Sequence, residues 1–135
     1  MQNNKTILLI EDNPDDIELT LRAFKKNNIM NGIIVKTYGK EALYFFFWKN
    51  GIVENKSSSL PILILLDLKL PKVDGIGVLK KLKADERTNS IPVVILTSSK
   101  EPADLLTCYK LGCNSFISKP EDINLFMDIV KAIWF

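Results

Sequence analysis

Ile62-Leu63-Ile64-Leu65-Leu66-Asp67-Leu68-Lys69-Leu70-Pro71 is the stretch that decides how this chain folds. A short apolar run containing β-branched residues reads as a strand buried on both faces. A carboxylate inside such a strand is costly, so Asp67 is predicted at its exit, where an open α/β sheet binds ligands. The same arrangement recurs along the chain. Glu11 and Asp12 follow Ile7-Leu8-Leu9-Ile10, Thr97 follows Val93-Val94-Ile95-Leu96, and Lys119 follows Phe116-Ile117-Ser118. Four apolar runs, each ending in a chemically useful side chain, predict one sheet edge carrying three acids, a hydroxyl and an ammonium. Such a set suits a divalent cation and a phosphoryl group.

Between the apolar runs the periodicity switches to helical. Asp12-Asn13-Pro14 has helix-start chemistry, an Asx cap with proline in the first turn. Ile17, Leu21 and Phe24 recur at helical spacing, and Asn31-Gly32 is expected to close that segment. Ile33 to Thr37 reads as a second strand, and Lys40 to Asn50 as a helix with Gly51 as its stop. Gly51 to Leu60, with Ser57-Ser58-Ser59, is the most loop-like stretch, and Ile62 to Leu66 is the third strand. Gly75 to Ala84 is a helix with Val78, Leu79 and Leu82 inward, and Pro92 to Leu96 is the fourth strand. Pro102 to Leu111 is the fourth helix, a short strand runs near Ser115 to Ile117, and Glu121 to Trp134 is the fifth helix. Five β-then-α units imply a parallel sheet with helices on both faces. Right-handed crossovers and a reversal of strand order open a crevice at the carboxyl ends of the strands.

At 135 residues the chain is expected to form one domain, residues 1–135, able to bury a real core. With a net charge of +2 and its 18 basic residues scattered, often beside acids, it has no basic stripe and is not expected to bind nucleic acid. The N-terminal apolar run of four residues is too short for a signal peptide, and no apolar run approaches a membrane span. Cys108 and Cys113 read as free thiols of a reducing cytoplasm, since no histidine exists to complete a zinc set. The lack of histidine also excludes a phosphohistidine on this chain, so a phosphoryl donor must come from elsewhere.

Three clustered carboxylates repel one another by on the order of 4 kcal/mol per pair at 4 Å and an effective dielectric of 20. A cation relieves this, and oxygen-only donors favour Mg²⁺, or Mn²⁺. The alternative for Glu11 and Asp12 is that they only cap the first helix. Asp67 can also act as a nucleophile and form an aspartyl-phosphate. Lys119 and Thr97 would then neutralise and hydrogen-bond the phosphoryl oxygens, alignment and charge being most of what phosphoryl transfer requires.

Glu11-Asp12, Asp67 within DLKLPKVDG, Thr97-Ser98 and Lys119-Pro120, in this order and spacing, resemble the receiver domains of two-component response regulators. The resemblance covers essentially the whole chain. It implies a flavodoxin-like (βα)5 fold, a doubly wound parallel sheet with strand order 2-1-3-4-5. It further implies Asp67 as phosphoacceptor, Asp12 and Asp67 as direct Mg²⁺ ligands, Glu11 acting through water, and the Lys69 backbone carbonyl as a ligand. Lys119 would contact the phosphoryl group and precede a cis-proline at Pro120. Phe116 stands where the family carries an aromatic switch that follows Thr97 inward; the alternative is a phenylalanine simply packed in the fifth strand. EDNPDD, YKLGCNSFISKP and Ile133-Trp134-Phe135 are similar to stand-alone receivers paired with phytochrome-type sensor histidine kinases.

The implied protein is therefore a cytoplasmic, non-enzymatic signalling domain. Its partner would be a sensor histidine kinase or phosphotransfer protein. Apolar residues on more than one side of the last helix suggest contact with a second copy or a partner through helix 4, strand 5 and helix 5. Their alternative role is to cover the domain's own core. Two rivals remain: a Mg²⁺-dependent phosphatase, disfavoured because Lys69 stands where a second Asp is needed, and a degenerate receiver, disfavoured because no site residue is missing. Gly75-Ile76-Gly77 lacks the third glycine of a dinucleotide fingerprint.

Overall fold

Leu63–Leu66 forms the central strand of a five-stranded parallel sheet, and all four residues are fully buried. The computed structural model describes residues 6–29, 31–47, 60–68, 74–97, 101–118 and 127–128. In chain order the elements are β1 (Thr6–Ile10), α1 (Pro14–Lys26), β2 (Gly32–Lys36), α2 (Gly39–Phe47), β3 (Leu63–Leu66), α3 (Gly75–Ala84), β4 (Val93–Thr97), α4 (Pro102–Lys110) and β5 (Ser115–Ser118). The strand order is β2-β1-β3-β4-β5 with every pairing parallel, the doubly wound arrangement expected from the sequence.

Successive strand residues point to opposite faces, so the inner strands feed two separate cores. Leu8, Ile10, Ile64, Leu66, Val93 and Ile95 meet Val78, Leu79 and Leu82 of α3 and both cysteines on one side. Ile7, Leu9, Leu63, Leu65, Val94 and Leu96 meet Phe24 of α1 and Met127 on the other. Each fully buried aliphatic or phenyl side chain contributes about 1.5–3 kcal/mol over its exposed state.

Several boundaries move from their expected places for local reasons. Asn13 caps α1 as expected, its Oδ1 accepting from the Asp15 and Asp16 N–H groups at 2.9 and 3.3 Å. The helix closes before Asn31-Gly32, however. Asn28 takes the left-handed conformation at φ 59°, and the Ile29 N–H reaches back to the Phe24 carbonyl at 2.9 Å. Gly32 instead opens β2, held there by pairing with Thr6. Thr97 is the last residue of β4 rather than the first beyond it, and Leu111 caps α4. Gly77 lies in the first turn of α3, where its N–H donates to the capping Asp74 at 2.8 Å. The expected end of the second helix, the serine-rich loop and nearly all of the fifth helix lie outside the described residues; Met127 and Asp128 of the latter are helical.

Candidate functional site

Parallel register brings the strand exits together. Ile10 pairs with Leu66, and Leu66 pairs with Ile95. Glu11 and Asp12 after β1, Asp67 after β3 and Thr97 at the end of β4 therefore share one sheet edge. The ladder continues just past the strands: the Asp67 N–H donates to the Ile10 carbonyl at 3.0 Å, and the Glu11 N–H donates to the Lys36 carbonyl at 3.0 Å.

Carboxylate oxygens of Glu11, Asp12 and Asp67 all lie within 4.8 Å of one another. Glu11 and Asp67 are only 1% and 7% exposed, Asp12 is open to solvent, and Thr97 is fully buried. Because Asn13 caps α1, the Asp12 carboxylate is left to the cluster, and capping does not account for it. Glu11 accepts a further hydrogen bond from the Asn13 N–H at 3.3 Å. Like charges at this separation cost on the order of 3 kcal/mol per pair at an effective dielectric of 20. A donor set made only of carboxylate oxygens, open on the Asp12 side, has the chemistry of a hard divalent cation site.

The structure thus gathers four of the residues singled out from sequence: Glu11, Asp12, Asp67 and Thr97. Phe116 is half-buried in β5 and packs against the core that contains Leu66 and Ile95. Lys69, Lys119 and Pro120 lie outside the described residues. One contributor was quoted from the sequence without being given a role. Gly75, the first residue of α3, donates its N–H to the Leu68 carbonyl at 2.8 Å and lies directly against the Asp67–Leu68 backbone. Its signals were its place at the end of DLKLPKVDG and directly after the helix cap Asp74. Residues of α1 also line a recess of about 420 Å³: Pro14, Ile17, Glu18, Leu21, Arg22 and Lys25.

Known proteins share this arrangement. The family described as response regulator receiver domain matches residues 7–131. The chain is 40% identical over 131 residues to the probable methanogenesis regulatory protein FilR2 of Methanothrix harundinacea, covering 95% of this chain and 82% of that protein. It is 36% identical over 129 residues to the response regulator Rcp1 of Synechocystis, covering 96% of this chain and 86% of Rcp1. The crystal structure of the Mn(2+)-bound form of Rcp1 superposes with a TM-score of 0.82 at 32% identity, covering 96% and 94% of the two chains. The phosphorylated cyanobacterial phytochrome response regulator RcpA gives a TM-score of 0.79 at 35% identity, covering 96% of this chain and 90% of RcpA. With the acidic cluster, the strand order and the family match in agreement, the chain belongs to the response regulator receiver domains, the phosphoryl-accepting components of two-component signalling.

Proposed function

We propose that this chain, as a single receiver domain spanning residues 1–135, accepts a phosphoryl group on Asp67. The observation that carries the reading is the nearly buried Asp67 carboxylate held within 4.8 Å of the Glu11 and Asp12 carboxylates. One Asp67 oxygen attacks phosphorus of a phosphohistidine on a sensor histidine kinase or phosphotransfer protein. The P–O bond forms as the P–N bond breaks, and the released imidazole takes its proton from solvent. The chain itself has no histidine, which fits a donor in trans.

Glu11, Asp12, Asp67 and the Lys69 backbone carbonyl would hold Mg²⁺, or Mn²⁺ as the Rcp1 structure holds. When bound, the cation supplies positive charge against the approaching phosphoryl oxygens. Thr97, at the end of β4, and Lys119, following β5 in the sequence, donate to the remaining oxygens. The donor reaches Asp67 across the α1 recess, which begins two residues after Asp12. The phosphorylated RcpA structure supports the same chemistry in a relative.

The output follows from differential contacts. A phosphoryl group brings about −1.5 to −2 charges and three acceptor oxygens. Thr97 drawn toward it leaves space beside Phe116, biasing α4, β5 and the last helix. Leu105, Leu106 and Tyr109 of α4 are exposed at 39, 56 and 47% and offer this face to a second copy or a downstream protein. Cys108 and Cys113, both unpaired and buried, suit a cytoplasmic setting.

Incubation with radiolabelled acetyl phosphate and Mg²⁺ is expected to label the wild type stoichiometrically and Asp67→Asn not at all. Rapid multiple turnover would instead identify a phosphatase, and an unlabelled wild type would leave only a scaffold. Light scattering before and after labelling settles the assembly: a monomer in both states ends the homodimer.

A further inference from the structure

Gly75 does not have a backbone conformation that demands glycine. It is helical, and among the described glycines only Gly112 has a positive φ. What forbids a side chain there is crowding. A Cβ on Gly75 would lie 2.3 Å from the Asp67 carbonyl oxygen, 2.6 Å from the Leu68 Cα and 3.0 Å from the Asp67 carbonyl carbon. All three are backbone atoms, so no side-chain rotation relieves the contact. Restoring ordinary van der Waals separation would require the Asp67–Leu68 peptide and the start of α3 to part by about 1 Å.

That peptide is held from two sides. The Asp67 N–H donates to the Ile10 carbonyl at 3.0 Å, and the Leu68 carbonyl accepts from the Gly75 N–H at 2.8 Å. Asp74 fixes the first turn of α3 by accepting from the Gly77 N–H at 2.8 Å. The Asp67 main chain is therefore clamped between the end of β1, which carries Glu11 and Asp12, and the first residue of α3. We propose that Gly75 is a positioning residue for Asp67. Its missing Cβ lets α3 press on the Asp67 backbone and so fixes the carboxylate within reach of Glu11 and Asp12. This inference rests on the reading of Asp67 as phosphoacceptor in an acidic cation site.

The test measures Mn²⁺ affinity of the full chain by titration calorimetry, alongside the rate of labelling by acetyl phosphate. Displacing a reacting group by 1 Å costs on the order of 100-fold in rate. Gly75→Ala is expected to label 10- to 100-fold more slowly and to bind Mn²⁺ about 10-fold more weakly. Leu82→Ala is the control, since it loosens the same helix from its far end without touching Asp67. It is expected to lower the melting temperature yet leave Mn²⁺ affinity within about 2-fold. Equal losses in the two variants, or wild-type affinity and rate in Gly75→Ala, would overturn the proposal. Should Gly75→Ala not fold, Asp74→Ala unfastens the same seat without added bulk. Weakening of Mn²⁺ binding by about 3-fold or more supports the clamp, and unchanged binding refutes it. A wild type that binds Mn²⁺ but takes no label would defeat the phosphoacceptor reading while leaving the affinity comparison intact.

Discussion

Burial pushes the Cys108 thiol up to about 11, and the nearby Cys113 and Asp104 add to the shift. Burial also raises Cys113, with Lys83 pulling the other way. The folded protein holds these protons where the unfolded chain, near the ordinary value of 9.0, has lost them. For Cys108, stability is thus fully present below pH 9 and falls as pH rises from 9 toward 11, by at most about 1.4 kcal/mol per pH unit, and Cys113 acts in the same direction. Urea unfolding at pH 8 and pH 10.5 should show this loss, and Cys108→Ala should show a shallower one. Nothing in the order of residues measures this burial beyond the helical position of Cys108, whereas Glu11, Asp12, Asp67 and Thr97 were legible at once. Each of those four stands where an apolar run stops, and a polar side chain there has few other places to go. The role of Gly75 was illegible because its crowding against Asp67 is a contact between residues eight apart in sequence that only the fold creates.

Two helices end by the same device, and it explains where the reading of element boundaries succeeded and failed. In α4 the Gly112 N–H donates to the Tyr109 carbonyl at 3.1 Å and the Cys113 N–H to the Cys108 carbonyl at 3.0 Å. In α1 the Asn28 N–H donates to the Lys25 carbonyl at 3.1 Å, beside the Ile29–Phe24 bond. Both are Schellman closures, in which a left-handed residue lets two apolar side chains meet across the helix end. The pairs are Cys108 with Cys113 in one core and Phe24 with Ile29 in the other. Asn31-Gly32 is the stronger turn signal on paper, but Phe24 is the last apolar residue able to close the helix against Ile29, so Asn28 takes the bend. At Gly112 a Cβ would meet only Lys83 methylenes at 3.7–3.9 Å, which is ordinary contact. Its φ of 100° is therefore the whole obstacle. Gly112→Ala should cost about 1 kcal/mol in chemical denaturation, through backbone strain alone. Asn28→Gly should be neutral or stabilising by a few tenths of a kcal/mol.

Across the whole molecule, the sheet assembles charge that the separate elements would not tolerate together. A ligand that binds only the folded state at 100 times its dissociation constant stabilises by about 2.7 kcal/mol. Saturating Mg²⁺ should accordingly raise the melting temperature of the wild type, and chelation should reverse it. Asp12→Asn should melt about as high as the wild type or slightly higher without metal, because one repulsive partner is gone, and should lose most of the Mg²⁺-dependent gain. Calorimetry with and without Mg²⁺ checks both halves. The topology behind this was readable from the alternation of apolar runs with helical periodicity, since five such units permit few arrangements. The separation of the acids was not readable, because it depends on the register of β1 against β3.

That register places every residue of Leu63–Leu66 in one of two opposed interiors, with none on an outer surface. The central strand consequently has almost no latitude to drift in sequence without loosening a packed interior. On the proposed reading, in which the phosphoryl donor approaches Asp67 over α1, divergence between paralogues has room to accumulate on rims such as the Ile17–Leu21 flank of α1. On that same reading, swapping only those rim residues between relatives should change which donor labels Asp67 fastest.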